Sequence, residues 1–138
     1  MSTQPCAMTE SQTRPQFSAD VWAAFWAAPD MSRVGDVLAD DIVGHWQGDP
    51  VPVRGREAYI GKIAELVTAA PDLTLDLLDT ATIDGGVSGE QLVYLHYVGR
   101  GTGPDGPFAI RGIDRVRSRD GLVVENVIRY DRVDPASI

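Results

Sequence analysis

The stretch Gly112-Ile113-Asp114-Arg115-Val116-Arg117 alternates in polarity as a β-strand does and holds one carboxylate at its centre. If Asp114 faces the interior, Ile110 and Val116 face it too, because side chains two residues apart share one face of a strand. The opposite face then carries Arg111, Arg115 and Arg117. Burial among apolar residues raises the pKa of a carboxyl group and suits it to donate a proton. The alternative is an acid that faces solvent or pairs with Arg129 on the next strand.

The C-terminal half around this stretch predicts four strands that follow one another in an antiparallel meander. They run from Leu73 to Ile83, Glu90 to Gly101, Phe108 to Ser118 and Leu122 to Tyr130. The separators Asp84-Gly85-Gly86 and Asp120-Gly121 contain the Asp-Gly or Gly-Gly signal of a tight hairpin. A shorter strand is predicted upstream, from Ile42 to Trp46.

Amphipathic spacing in the N-terminal half predicts three helices. The first is capped at Ser18 and ended by Pro29, the second is short and covers residues 31–38, and the third opens at Gly55 and ends at Pro71. Helices followed by an antiparallel meander indicate the α+β class. Residues 1–16 are rich in Ser, Thr, Gln and Pro and predict a disordered tail, which leaves residues 17–138 as a single domain.

Composition narrows the classes of partner. The 138 residues carry a net charge of −8, which argues against nucleic acid and anionic membranes, since both attract basic surfaces. A single cysteine, Cys6, excludes an internal disulfide. Neither a signal peptide nor a long apolar span is recognisable, so we expect a cytoplasmic protein.

Several segments carry a resemblance to a known family: Leu38-Ala39-Asp40-Asp41-Ile42-Val43-Gly44-His45, Val53-Arg54-Gly55-Arg56-Glu57-Ala58, Ala70-Pro71-Asp72-Leu73, Gly112-Ile113-Asp114-Arg115-Val116-Arg117, Asp120-Gly121-Leu122-Val123-Val124-Glu125 and Tyr130-Asp131. Together they resemble the SnoaL-like branch of the NTF2-like superfamily, which includes polyketide cyclases and is related to the ketosteroid isomerases. The resemblance implies a cone in which three N-terminal helices pack on a curved antiparallel sheet.

The same resemblance implies two catalytic residues. Asp114 falls where the isomerases place a buried acid that donates a hydrogen bond to the substrate oxyanion, and His45 falls at, or one residue from, their catalytic base. We therefore expect His45 and Asp114 to face each other across a cavity. The helix position that is Tyr in the isomerases is Trp22 here, and an indole cannot titrate, which argues against true ketosteroid isomerase chemistry.

Aromatic and polar side chains on the helices and strands predict an apolar cavity for a hydrophobic small molecule. The residues with suitable parity are Trp22, Trp26, Tyr59, Tyr97, Phe108, Asn126 and Tyr130. His96 is expected on the outer face of the sheet. The His, Asp and Glu residues lack metal-ligand spacing, so we expect neither a metal nor another cofactor.

The sequence thus favours acid–base chemistry of the isomerase or cyclase type, through an enolate, on a hydrophobic oxygenated substrate. A binding module without turnover, and a hydrolase or dehydratase (a lyase) that uses the same pocket, are the alternatives. The outer sheet face mixes apolar and charged residues, which suits a symmetric homodimer contact.

Overall fold

The computed structural model describes residues 16–138, which form two α-helices and a six-stranded sheet. The helices are α1, Ala19–Ala27, and α2, Arg56–Ala69. The strands are β1, Leu38–His45, β2, Val53–Arg54, β3, Thr74–Asp84, β4, Glu90–Gly103, β5, Gly106–Arg119, and β6, Leu122–Val133. Short 3-10 helices cover Val34–Val37 and Pro135–Ser137. The predicted disordered tail lies outside the described residues, apart from Gln16.

Local chemistry explains where both α-helices begin. The Ser18 hydroxyl accepts a hydrogen bond from the Val21 amide at 3.2 Å and caps α1. Helix α2 begins after Gly55, whose φ of 95° is a backbone conformation that glycine adopts without strain. Both helices bury aromatic residues against the sheet, Trp22 and Trp26 from α1 and Tyr59 from α2.

The prediction of three α-helices is wrong, because the second of them, over residues 31–38, does not form. That segment contains only a four-residue 3-10 turn, and β1 begins directly after it at Leu38. So few residues cannot repay the cost of nucleating an α-helix, and Gly35 and Asp36 are poor helix formers. The turn is held instead from outside, because Nη2 of Arg56 donates a hydrogen bond to the Gly35 carbonyl at 2.8 Å.

The sheet has the strand order β2-β1-β6-β5-β4-β3. Strands β3 to β6 form the predicted antiparallel meander. The expectation of a wholly antiparallel sheet is wrong, because β1 runs parallel to β6, with His45 opposite Val127. This pairing joins segments about 80 residues apart, so no hairpin signal in the sequence announces it.

The hydrophobic core lies between the helices and one face of the sheet. Its most deeply buried side chains come from the sheet: Ile42, Leu95, Val93 and Val116. The helices cover them with their aromatic residues, and Trp22 packs on Tyr97 with ring centroids 5.2 Å apart. No helix among residues 16–138 combines the length and the apolar character that crossing a membrane requires.

Candidate active site

A cavity of about 380 Å³ opens between the helices and the sheet. Its walls come from α1, α2 and strands β3 to β6, and most of the side chains that line it are apolar. This volume lies within the range of small-molecule sites, which are mostly apolar with a few placed polar groups. The chemistry of the cavity therefore depends on the few polar side chains in its wall.

Asp114 is the carboxylate of the cavity wall and is only 5% exposed. The Tyr97 hydroxyl donates a hydrogen bond to its Oδ1 at 2.9 Å. Burial raises the pKa of Asp114 from 3.8 to about 7, although hydrogen bonds from Tyr97, Trp22 and Asn126 act in the opposite direction. A carboxyl group with a pKa near neutrality can both accept and release a proton at physiological pH.

The alternative pairing of Asp114 with Arg129 does not occur. Nη1 of Arg129 donates instead to the backbone carbonyls of Ile128, at 2.8 Å, and His45, at 3.4 Å. Among residues 16–138, Asp114 therefore has hydrogen-bond donors around it but no cation in contact, which is why burial dominates its pKa.

Gly112 makes room for the contact between Tyr97 and Asp114. It lies opposite Tyr97 in the β4–β5 register and two residues before Asp114 on the same strand face. A Cβ atom at this position would lie 2.6 Å from the Tyr97 hydroxyl oxygen and 2.8 Å from the Arg129 carbonyl oxygen. Both distances are shorter than van der Waals contact, so a side chain at Gly112 would displace the tyrosine.

A second polar pair, Asn126 and Tyr59, lies in the same wall. Nδ2 of Asn126 donates a hydrogen bond to the Tyr59 hydroxyl at 2.8 Å. Oδ1 of Asn126 is buried and has no hydrogen-bond partner within residues 16–138. Burial raises the pKa of Tyr59 well above its ordinary value, so its hydroxyl keeps its proton. Within the described residues, the pair therefore leaves one amide oxygen without a donor, and the Tyr59 oxygen accepts a hydrogen bond while keeping its own proton.

The structure brings Asp114 together with all seven residues for which a binding role is predicted. Each of them lines the cavity: Trp22, Trp26, Tyr59, Tyr97, Phe108, Asn126 and Tyr130. The alternation of β4, β5 and β6 was sufficient to place the strand residues, and helical spacing placed the two tryptophans. Their roles in binding, and the catalytic role of Asp114, stay predictions.

His45 does not line this cavity, and the prediction that it faces Asp114 across the cavity is wrong. Its Nε2 lies 3.2 Å from Oε2 of Glu125, on the outer face of the sheet. The reason is strand parity: Trp46 lines the cavity, so its neighbour on the same strand points the other way. The apolar spacing of Ile42, Gly44 and Trp46 is the sequence signal that identifies the inner face of β1.

The outer face carries an ion-pair network that sequence reasoning missed. Arg115 and His45 both contact the Glu125 carboxylate. At the start of β4, the Glu90 carboxylate accepts hydrogen bonds from Arg119 at 2.7 Å and Arg117 at 3.2 Å. The Arg119 guanidinium, followed by that of Arg117, holds the pKa of Glu90 below its ordinary value.

His96 lies on the outer face, as expected, with Nδ1 3.3 Å from Oδ2 of Asp79. No group of three or more His, Cys, Asp or Glu side chains that could hold a metal ion occurs in the described part of the chain.

Comparison with protein families identifies the fold. The model of the SnoaL-like domain family matches residues 19–126. The chain belongs to the SnoaL-like domain family. The resemblance inferred from the sequence is thereby confirmed. None of the curated proteins compared with the chain shows significant similarity to it.

Solved structures place this SnoaL-like chain among NTF2-like proteins. Wild-type IdmH of Streptomyces antibioticus, a candidate polyketide cyclase, is 27% identical, with 79% of this chain and 86% of IdmH aligned and a TM-score of 0.64. A protein of Catenulispora acidiphila with a ketosteroid isomerase-like fold, solved with trimethylamine, is 19% identical over 80% and 82% of the two chains, with a TM-score of 0.65. An NTF2-like protein of unknown function from an Exiguobacterium species is 18% identical over 83% and 98%, with a TM-score of 0.64.

Proposed function

We propose that this protein is an acid–base enzyme of the cyclase or isomerase type that acts on a hydrophobic, oxygenated small molecule. The observation that carries the proposal is Asp114, a carboxyl group with a pKa of about 7 in the wall of an apolar cavity. The similarity to IdmH, a candidate polyketide cyclase, supports the same type of reaction. The sequence led us to expect His45 as the base, but its side chain lies outside the cavity, so we assign this role to Asp114 as well.

Asp114 has to serve as both base and acid. Within residues 16–138 it is the only carboxylate that lines the cavity, and no imidazole does so. Ionised Asp114 takes a proton from a carbon next to a substrate carbonyl, and the electron pair of the broken C–H bond moves to the carbonyl oxygen as an enolate. In an isomerisation, Asp114 returns this proton to a different carbon. In an aldol cyclisation, the enolate carbon attacks a second carbonyl, and Asp114 protonates the alkoxide that forms.

Tyr59 and Asn126 suit the two oxygen functions of such a substrate. The Tyr59 hydroxyl already accepts a hydrogen bond from Asn126, so its own proton is free to stabilise the enolate oxygen. The unpartnered Oδ1 of Asn126 is an acceptor for a substrate hydroxyl. A substrate hydroxyl that donates to this oxygen would satisfy a buried acceptor that is unpaired without a ligand, and relief of an unpaired buried acceptor is worth about 1–3 kcal/mol. The wall therefore favours oxygenated ligands over plain hydrocarbons.

Deuterium exchange tests the proposed proton transfer without knowledge of the natural substrate. The probe is 2-tetralone in D2O, with loss of its α-protons followed by proton NMR and its binding followed by quenching of tryptophan fluorescence. We expect exchange by the wild-type protein to rise with pH and to level off above about pH 7, because only ionised Asp114 takes the proton. Asp114→Asn should reduce the exchange rate about 100-fold or more while quenching is unchanged.

His45→Ala is the matched control, because it removes a titratable group outside the cavity. It should change the exchange rate by less than about twofold, as surface substitutions away from a site usually do. Quenching without any exchange by the wild-type protein would contradict the proposal and favour the non-catalytic binding module. Full activity of Asp114→Asn, or loss of activity in His45→Ala, would move the base away from Asp114.

A further inference from the structure

The charged side chains that line the cavity have an uneven distribution. Within the described chain they are Asp114 in the buried wall and two exposed arginines, Arg33 and Arg132. No second acid lines the cavity in this part of the protein, although the whole chain carries a net charge of −8. The charged side chains in the exposed part of this lining, the mouth of the cavity, are thus arginines, on a protein whose net charge is negative, and they favour an anionic group on the ligand.

The geometry of Arg132 suits it to hold an anion. The carbon at the centre of its guanidinium lies 4.9 Å from the centroid of the Phe108 ring, which also lines the cavity. A guanidinium over an aromatic face is held there by a cation–π attraction, and its N–H groups remain donors that suit a planar carboxylate. Arg33 is less constrained: its side chain is 76% exposed, and Nε lies 3.8 Å from Oδ2 of Asp36.

The sheet register sets the distance between this mouth and the buried acid. Arg132 is opposite Ile110, and Ile128 is opposite Asp114 in the β5–β6 pair. Arg132 is therefore four residues along β6 from the partner of Asp114, and at about 3.3 Å per residue this is about 13 Å. A ligand of that length, with an apolar body between its two ends, matches a cavity of about 380 Å³ with apolar walls.

We infer that the ligand is an amphiphilic carboxylic acid. Its carboxylate binds at Arg132, and Arg33 adds positive charge. The rest of the ligand, an apolar body that carries the reacting oxygen function, reaches Asp114 about 13 Å away. The assignment of the reacting end to Asp114 rests on the proposed function, whereas the recognition of the carboxylate rests on the arginines alone. The mouth thereby orients the ligand, so that the carbon to be deprotonated lies at the acid.

Binding of three matched probes tests this inference: 4-(2-naphthyl)butanoate, its methyl ester and the corresponding primary alcohol. Quenching of tryptophan fluorescence reports the affinity of each. For the wild-type protein at low salt we expect the carboxylate to bind about tenfold more tightly than the ester or the alcohol, as a charge-assisted hydrogen bond provides. Because the mouth is exposed, added salt should reduce this preference.

Three variants locate the effect. Arg132→Gln should reduce the preference for the carboxylate to about twofold or less, and Arg33→Gln should reduce it partly. Arg111→Gln removes the same charge from an exposed residue that does not line the cavity, and it should keep the full preference. Equal affinity of the wild-type protein for all three probes would overturn the inference, as would an undiminished preference in Arg132→Gln.

The outcome of these binding measurements is independent of the deuterium-exchange test of catalysis. A wild-type protein that prefers the carboxylate but exchanges no α-protons of 2-tetralone keeps the inference about the ligand and loses the proposed function. A protein that exchanges these protons through Asp114 but shows no preference for the carboxylate keeps the function and loses the inference.

Discussion

Replacement of Asp114 with asparagine should have an effect on stability that grows with pH. Between pH 3.8 and about 7 the folded protein keeps the Asp114 proton, whereas the unfolded chain has lost it. The unfolded state binds fewer protons over this range, so the stability of the wild-type protein falls as the pH rises. Each pH unit is worth about 1.4 kcal/mol, and the whole interval therefore amounts to about 4 kcal/mol. The asparagine variant does not titrate and escapes this loss.

Urea unfolding at pH 4 and pH 8, followed by tryptophan fluorescence, measures the effect. At pH 4 the variant should equal the wild-type protein or be about 1 kcal/mol less stable, because an asparagine accepts fewer of the hydrogen bonds from Tyr97 and its neighbours. At pH 8 it should be more stable, by up to about 4 kcal/mol. Taking the difference between the two proteins at each pH cancels the titration of every other group.

Asp114→Leu is the control for shape and hydrogen bonding. It also removes the charge, but it leaves the Tyr97 hydroxyl without its acceptor, and a buried unpaired donor costs about 1–3 kcal/mol. This variant should therefore be less stable than the wild-type protein at pH 4. At pH 8 this difference in stability should disappear, because the wild-type protein has lost stability there. A stability difference between Asp114→Asn and the wild-type protein that does not change with pH would refute the reasoning, because Asp114 would then titrate like a solvent-exposed acid.

Two further predictions concern the strand that carries Asp114. Gly112→Ala should lower the free energy of unfolding by about 1–3 kcal/mol, because the new methyl group displaces the Tyr97 hydroxyl. In the Gly112→Ala background, Tyr97→Phe should then have no further effect on stability. A double-mutant cycle in which the two effects simply add would contradict this. We also predict a homodimer at micromolar concentration through the outer sheet face, where Ile113 is 53% exposed. Light scattering should give a dimeric mass for the wild-type protein and for a Val51→Asp control, and a monomeric mass for Ile113→Asp; a monomeric wild-type protein would refute the contact.

Local patterns in the sequence predicted much of the cavity wall. Strand alternation placed Asp114 and Asn126 on the inner faces of β5 and β6, and helical spacing placed Trp22 and Trp26 over the sheet. These predictions succeeded because the periodicity of an element determines which residues share a face, and a strongly apolar set identifies the inner face. The hairpin signals likewise predicted the meander from β3 to β6, since each turn joins neighbours in the chain.

His45 shows where that reasoning fails. Strand β1 has an apolar residue on each face, Ile42 on one and Val43 on the other, so the spacing of Ile42, Gly44 and Trp46 is only a weak signal of its inner face. Its parallel pairing with β6 and the insertion of Trp46 into the cavity make the choice, and both depend on segments distant in sequence. A one-residue difference in parity moves an imidazole from the cavity to an ion pair with Glu125.

The sequence by itself determined the α+β class, the family resemblance and part of the cavity lining, namely Asp114 and the seven predicted binding residues, because these follow from local periodicity, turn chemistry and short motifs. The tertiary structure alone decided which polar groups meet. It joins Tyr97 to Asp114 across 17 residues and Asn126 to Tyr59 across 67, and it brings Arg33 and Arg132 into the lining of one cavity. Such contacts depend on the register of strands and the packing of helices, which no local pattern encodes. The tertiary structure also decides the pKa of Asp114, because the main cause of its rise is burial by the whole fold.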